Sequence, residues 1–404
     1  MKIAIIQPSA ELGGLEISLD NWLKDLAPSE FDRLVILPHH GPIAATYQRS
    51  GIRTIYLPMM QLRTIRSPKY QLRYLLAYLP TVLRLARVLK GENIDVVHTN
   101  SLFCLYGFLA AALVRRPHVW HIHEIPDQPL WLVRMLTTFV QMTSARVVVI
   151  SPAVLEIFLR RGSSHPKVVQ ITEGIDVTRF NPDVSGLEVR RELGIAREAT
   201  LIGWAARLDP WKGCEVFLRA AAAIAPEDPL AHFLVAGGEL AGYEQYASGL
   251  KVLARQLAID SRVTFTGWRY HWEDMPRVMA SLDILVHTPI SPEPLGMVLL
   301  EAMACAKPVV AANAGGPASI VLEGITGRLF APGSITECAA AIRELSAMGA
   351  RRAQLGQAGR RRVVKDYNSR IYANNMASMY RGLAKSPHRM EESPSGATDS
   401  SAPP

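Results

Sequence analysis

The sequence predicts an α/β protein of two domains, each a parallel sheet covered by helices on both faces. Three observations carry that expectation. Short β-branched apolar runs alternate with longer helical patterns along nearly the whole chain, the pattern of βαβ units. At 404 residues the chain is too long for one ordinary core and suits two domains of about 150–200 residues each. Glycine-rich or polar turns follow several of the apolar runs, as at Gly237-Gly238 and Gly315-Gly316, and doubly wound sheets bind ligands at those ends.

In the first half the candidate strands are Lys2–Pro8, Arg33–Pro38, Arg53–Pro58, Asp95–Asn100, His118–Glu124, Arg146–Ser151 and Val168–Gly174. In the second they are Thr200–Arg207, His232–Gly238, Val263–Trp268, Asp283–Pro289 and Pro308–Gly315. The turn-rich stretch Asp176–Gly186 breaks the pattern and marks the boundary, giving domains over residues 1–180 and 181–365. Residues 385–404 are Ser, Pro, Gly and charge with little to bury, and read as a disordered tail.

Composition narrows the function. About half the residues are apolar and a fifth charged, as in soluble globular proteins. The four cysteines, Cys104, Cys214, Cys305 and Cys338, have no C-x-x-C spacing, so neither a disulfide framework nor a zinc cage is expected, and a reducing, cytoplasmic setting is. The apolar run after Met1 is too short for a signal-peptide core, and no run of about 18 apolar residues could span a bilayer. The net charge of +8 suits acidic partners.

The most informative segment is Ser291-Pro-Glu-Pro-Leu-Gly-Met-Val-Leu-Leu-Glu-Ala-Met-Ala304, which follows a strand and opens a helix near Gly296. Glu293 falls in the loop and Glu301 about one turn into the helix. Helical side chains lean toward the N-terminus, so Glu301 can reach a ligand held at the helix mouth. The free N–H groups of Leu295, Gly296 and Met297 would hold a phosphate there, and a carboxylate can accept from both hydroxyls of a ribose. Two glutamates eight apart are common; this strand-loop-helix setting is far more specific. The segment resembles the E-x7-E motif of retaining glycosyltransferases with the GT-B fold, in particular the large family four.

Other segments match that family in the expected order from residue 1 to about 383. Gly13-Gly14 with Glu16 resembles the family's G-G-x-E loop, although Gly-Gly alone is more often just a turn. Arg207-Leu-Asp-Pro-Trp-Lys212-Gly213 resembles G-R-L-x-x-x-K-G, with Arg207 and Lys212 suited to a diphosphate and Ala206 in place of the usual Gly. His123-Glu124 matches a histidine–acid pair and implies contact of His123 with the donor sugar. His121, two residues earlier, falls on the same strand face, and together the two make an incomplete metal-ligand set. Gly174-Ile-Asp176 resembles the N-G-I-D segment, with Glu173 where Asn is usual. Ala314-Gly-Gly-Pro-Ala-Ser319 resembles G-G-x-x-E, with Ser319 in place of Glu. Thr266-Gly-Trp268-Arg269 matches a loop that frames the nucleobase.

The resemblance implies a GT-B architecture, two Rossmann-like domains facing across a cleft, with helices over 366–384 crossing back to the first. The first domain is expected to bind the acceptor, a glycan or lipid-linked sugar, and the second the nucleotide sugar. On that view Glu293 and His123 serve the reacting sugar, and Glu301 holds the ribose. The diphosphate falls to Arg207 and Lys212. No cofactor is expected, and no metal, because no Asp-x-Asp triplet occurs. Nucleic acid is not an expected partner.

One segment bears on location. From Arg33 to Gly91 there are ten Lys and Arg residues and no Asp or Glu. Within it, residues 59–90 mix apolar residues with Arg63, Arg66, Lys69, Arg73, Arg84 and Arg87. This is either an anionic-membrane contact at the inner face or a basic helix face whose apolar side packs on the sheet. Two rivals to transfer remain open: an epimerase or phosphorylase on the same fold, and an inactive sugar-nucleotide-binding subunit, suggested by Glu173, Ala206 and Ser319.

Overall fold

The computed structural model describes residues 1–61, 67–159 and 165–385, and its strands form two wholly parallel sheets. The first holds β1 (Lys2–Ile6), β2 (Asp32–Leu37), β3 (Arg53–Tyr56), β4 (Val96–Asn100), β5 (His118–Ile122), β6 (Arg146–Val149) and β7 (Val168–Gln170). Their order is β3-β2-β1-β4-β5-β6-β7. The second holds β8 (Thr200–Ala205), β9 (Ala231–Ala236), β10 (Val263–Phe265), β11 (Ile284–His287), β12 (Val309–Ala312) and β13 (Gly327–Phe330). Their order is β10-β9-β8-β11-β12-β13. Every strand expected from the sequence is present, and β13 is additional. It is an edge strand, Gly-Arg-Leu-Phe, too short and too polar to stand out as a buried run.

Alternation divides each strand between two helical layers. In β1, Ile3 and Ile5 pack with Trp22, Tyr47 and Tyr380, whereas Ala4 and Ile6 pack with Val82, Leu85 and Ala110 on the opposite face. The second layer contains the helix Pro68–Gly91, whose start is set by Ser67 accepting from Tyr70 N and by Pro68 in the first turn.

Strand order reverses direction between β1 and β4 and again between β8 and β11. These are the topological switch points, where an open α/β sheet offers a crevice at its carboxyl edge. The two carboxyl edges face each other: Ser151, just beyond β6, donates to Pro294 O in the loop after β11 at 2.5 Å. Arg49 and Glu273 pair across the same gap at 2.8 Å.

The chain passes to the second sheet after β7 and returns at residues 366–368. The two crossings touch, with Ile175 N donating to Tyr367 O and Ser369 N donating to Ile175 O, each at 2.9 Å. Gly174 is required here, since a Cβ would lie 2.6 Å from the Asn368 carbonyl. The helix Ser369–Lys385 then buries Tyr372, Met376 and Tyr380 in the first domain's core, each side chain worth about 1.5–3 kcal/mol. Of residues 385–404, read above as a disordered tail, Lys385 ends this helix and 386–404 lie outside the described residues, as do Arg63 and Arg66.

Candidate active site

The switch point of the second sheet is built from two close backbone contacts and one side-chain hydroxyl. After β8 the chain makes a 3-10 turn, Pro210–Lys212, closed by Gly213 at φ 68°. A Cβ at Gly213 would lie 1.9 Å from Thr288 O, so Gly213 is a steric requirement for bringing the turn against the loop after β11. Thr288 fixes that approach: its hydroxyl donates to Gly213 O at 2.8 Å and accepts from Trp204 Nε1 at 2.9 Å. On the other side, Gly316 N donates to Glu293 O at 2.7 Å, and a Cβ on Gly315 would lie 2.2 Å from that same oxygen. The Gly315-Gly316 pair thus clamps the backbone that carries Glu293.

The result is a buried ion pair. Lys212 Nζ lies 2.7 and 3.0 Å from the two Glu293 oxygens, with the side chains 14% and 10% exposed. Burial alone would push the Glu293 carboxyl up, but His287 beside it and the Lys212 ammonium prevail and hold it at about 2. Among the described residues, His287 Nε2 is buried without a hydrogen-bond partner and stands 3.6 Å from Glu293. Gly296, at φ 97°, caps the helix Met297–Ala304. Inside that helix Glu301 is 6% exposed. Burial raises its carboxyl to about 7, opposed only by the charge of Arg179, and it has no hydrogen bond or ion pair among the described residues.

At the other switch point, Gly13 precedes the helix Gly14–Leu23, and a Cβ on Gly13 would lie 2.8 Å from Glu16 Oε2. Gly14 has open space beside it. His123 follows β5 with both ring nitrogens engaged inside the protein, Nδ1 2.8 Å from Glu173 Oε1 and Nε2 2.7 Å from Asn100 Oδ1.

Set beside known proteins, residues 187–362 match the family model described as glycosyl transferases group 1, and residues 12–179 match glycosyltransferase family 4. The D-inositol 3-phosphate glycosyltransferase of Stackebrandtia nassauensis is 31% identical over 300 residues, covering 70% of this chain and 67% of that protein. The chain belongs to glycosyltransferase family 4. A second relative of the same description, from Actinosynnema mirum, is 35% identical over 197 residues, 48% of this chain and 46% of its own length. The chain thus spans about half to two thirds of the length of these curated relatives. Among solved structures, Anabaena HepE (Alr3699) in complex with UDP-glucose has a TM-score of 0.81 and 26% identity, covering 95% of this chain and 100% of that one. The fold is GT-B.

Against this family 4 fold, the sequence-derived residues fall into three groups. Lys212, Glu293, Leu295, Gly296, Met297 and Glu301 gather at the β8–β11 switch, and the exposed Arg207 follows β8. Lys212 rests on Glu293 rather than standing free for a diphosphate. Gly13, Gly14 and His123 gather at the β1–β4 switch, and His121, fully buried, contacts His98 and Tyr372 beneath the last helix. Trp268 and Arg269 follow the edge strand β10; Trp268 is half exposed and donates to Glu239 O at 2.9 Å, and Glu239 pairs with Leu208, the residue after Arg207. Sequence reasoning missed His287, whose place as the last residue of a switch-point strand was the available signal. It also missed Thr288 and the pairing of Glu173 with His123.

Proposed function

We propose that this chain is a retaining, metal-independent glycosyltransferase, moving a hexosyl unit from a nucleotide-diphosphate sugar to a glycan, lipid-linked or small-molecule acceptor. The observation that carries the reading is Glu301: a buried carboxylate without a donor among the described residues, one turn inside a helix whose N-terminus opens on the Lys212–Glu293 pair. A ribose diol supplies the missing donors, and a diphosphate between them meets the helix N–H groups, Lys212 and Arg207. Support for a uridine nucleotide comes from HepE, whose structures hold UDP and UDP-glucose.

In this reading the bond between the anomeric carbon and the β-phosphate oxygen breaks as the acceptor oxygen approaches on the same face. The departing phosphate oxygen takes the acceptor's proton, so no protein base is needed. Donor binding draws Lys212 from Glu293 to the diphosphate and turns Glu293 toward the sugar. The protein acts by positioning and by fixed charge. Metal independence is supported by the absence of an Asp-x-Asp triplet in the sequence.

The acceptor side has a further feature. The helix Pro68–Gly91 packs Tyr74, Val82, Leu85 and Leu89 inward, yet leaves Leu72, Leu75, Leu76, Leu79 and Leu83 exposed among the exposed Lys69, Arg73, Arg84, Arg87 and Lys90. An ordinary solvated basic face would not carry five leucines. Peripheral contact with an anionic membrane at its cytoplasmic face, consistent with a lipid-linked acceptor, fits this surface. No helix among the described residues is long and apolar enough to cross a membrane.

The test is a thermal-shift and turnover screen against UDP-, GDP- and ADP-hexoses, with and without EDTA. A bound donor raises Tm by mass action, and turnover is expected to persist at near its full rate in EDTA. Loss of turnover on chelation, restored by magnesium or manganese, would overturn metal independence; no response to any nucleotide sugar would overturn the whole reading.

A further inference from the structure

The loop that carries Glu293 is held from both domains. The Glu293 carbonyl accepts from Gly316 N in the second domain at 2.7 Å. The next carbonyl, that of Pro294, accepts from Ser151 Oγ of the first domain at 2.5 Å. Ser151 lies two residues beyond β6 and is fully buried. It also caps the short helix Pro152–Glu156, accepting from Val154 N at 3.2 Å. A serine hydroxyl has one proton and two lone pairs. The Val154 N–H takes a lone pair and a carbonyl oxygen can only accept, so the proton goes to Pro294.

This bond sits in apolar surroundings. Ile150, Val154 and Phe158 of the first domain share one buried cluster with Leu295 and Leu299 of the second, and a hydrogen bond shielded in this way is stronger than one in water. Pro294 has no N–H of its own. Its carbonyl belongs to the same planar trans peptide as the Leu295 N–H, and in such a unit the two point in opposite directions. Holding the carbonyl toward Ser151 therefore turns the Leu295 N–H away from the first domain's contact. Neither it nor the Gly296 N–H donates to a carbonyl among the described residues.

We propose that Ser151 is a positioning residue for the donor, whose hydroxyl fixes the Pro294–Leu295 peptide so that the Leu295 N–H is presented to the diphosphate. The nucleotide-binding loop is then complete only with the first domain packed against it. One hydroxyl serves both jobs: it starts the helix after β6 and sets the backbone between Glu293 and the helix Met297–Ala304. The inference rests on the transferase reading for its ligand, a nucleoside diphosphate, and not for the orientation of the peptide.

The experiment is NMR of the full chain labelled with 13C-carbonyl proline and 15N-leucine. Three prolines precede a leucine, Pro129, Pro229 and Pro294, so a carbonyl–amide correlation spectrum holds three peaks. Leu130→Met and Leu230→Met each remove one and so identify the third. A carbonyl that loses its hydrogen-bond donor resonates at lower frequency. The Pro294 carbonyl is expected to move that way in Ser151→Ala and Ser151→Asp and to stay in place in Ser151→Thr. Asp caps a helix as well as Ser does but, ionised, has no proton to give. It thus separates the bond to Pro294 from the cap, and keeps the test open if the Ala variant does not fold. Calorimetry with UDP, GDP and ADP reads the consequence. The Kd of the nucleotide that binds should weaken about three- to tenfold in Ser151→Ala and Ser151→Asp, and Ser151→Thr should restore it. An unmoved Pro294 carbonyl in Ser151→Asp overturns the proposal, as does an unchanged Kd in the folded variants. A wild type that binds none of the three nucleotides counts instead against the transferase reading, and the carbonyl peak then decides the role of Ser151 by itself.

Discussion

If Glu301 holds the donor ribose as proposed, donor binding depends on pH in a direction that can be worked out in advance. In the empty site burial holds its carboxyl at about 7. Two ribose hydroxyls donating to it stabilise the charged form and bring it down again, so binding expels the proton from the protonated fraction. If the bound value falls below about 5, affinity follows the fraction already ionised in the free protein. That fraction is about 10/11 at pH 8 and about 1/11 at pH 6, so Kd should weaken about tenfold on going down, about 1.4 kcal/mol. An intact nucleotide sugar is the right ligand, because its diphosphate diester does not titrate in this window. Calorimetric titration at pH 6, 7 and 8, in buffers of different protonation enthalpy, measures both affinity and protons released. Glu301→Gln should bind more weakly, by about ten- to a hundredfold at pH 8, with KM rising more than kcat falls and with no pH dependence left from this group. A wild-type Kd that is flat from pH 6 to 8 with no proton release, or a Glu301→Gln variant that keeps the pH dependence, would refute the reasoning.

Glu293→Gln should behave differently, since on the proposed reading Glu293 faces developing charge at the anomeric carbon. We expect kcat to fall ten- to a hundredfold, while affinity for the bare nucleoside diphosphate holds or tightens as Lys212 is released; a loss of that affinity in calorimetry would contradict the assignment. Replacing Lys69, Arg73, Arg84 and Arg87 by Ser should release the protein from anionic vesicles, at roughly 1 kcal/mol per basic residue and less at high salt. A wild type that never sediments with such vesicles would show the exposed leucines to serve something else.

Much of this was legible because the strands are nearly pure apolar runs and a parallel sheet leaves no choice of partner layer. β13 escaped because Arg328 and the short Gly-Arg-Leu-Phe run look like a turn. The chemistry at the β8–β11 switch was legible because each group follows a strand end directly. What the sequence could not show was which charges meet. Lys212 and Glu293 are 81 residues apart, and their pairing depends on Gly213 and Gly315 admitting close backbone contact. The same holds for Glu173: as a departure from the expected Asn it pointed only toward an inactive subunit, because nothing local indicates that His123, 50 residues earlier, would be its partner.

The paired crossings at Ile175 and Asn368 restrict how the protein can move and how it can be divided. Both connections between the sheets run through one hydrogen-bonded seam, so any opening between the sheets is expected to hinge there. The last helix belongs to the first domain's core, so a single cut between β7 and β8 leaves the second half tethered through residues 366–368. Limited proteolysis at Asp176–Gly186 should therefore give a nicked protein that stays together and still binds nucleotide.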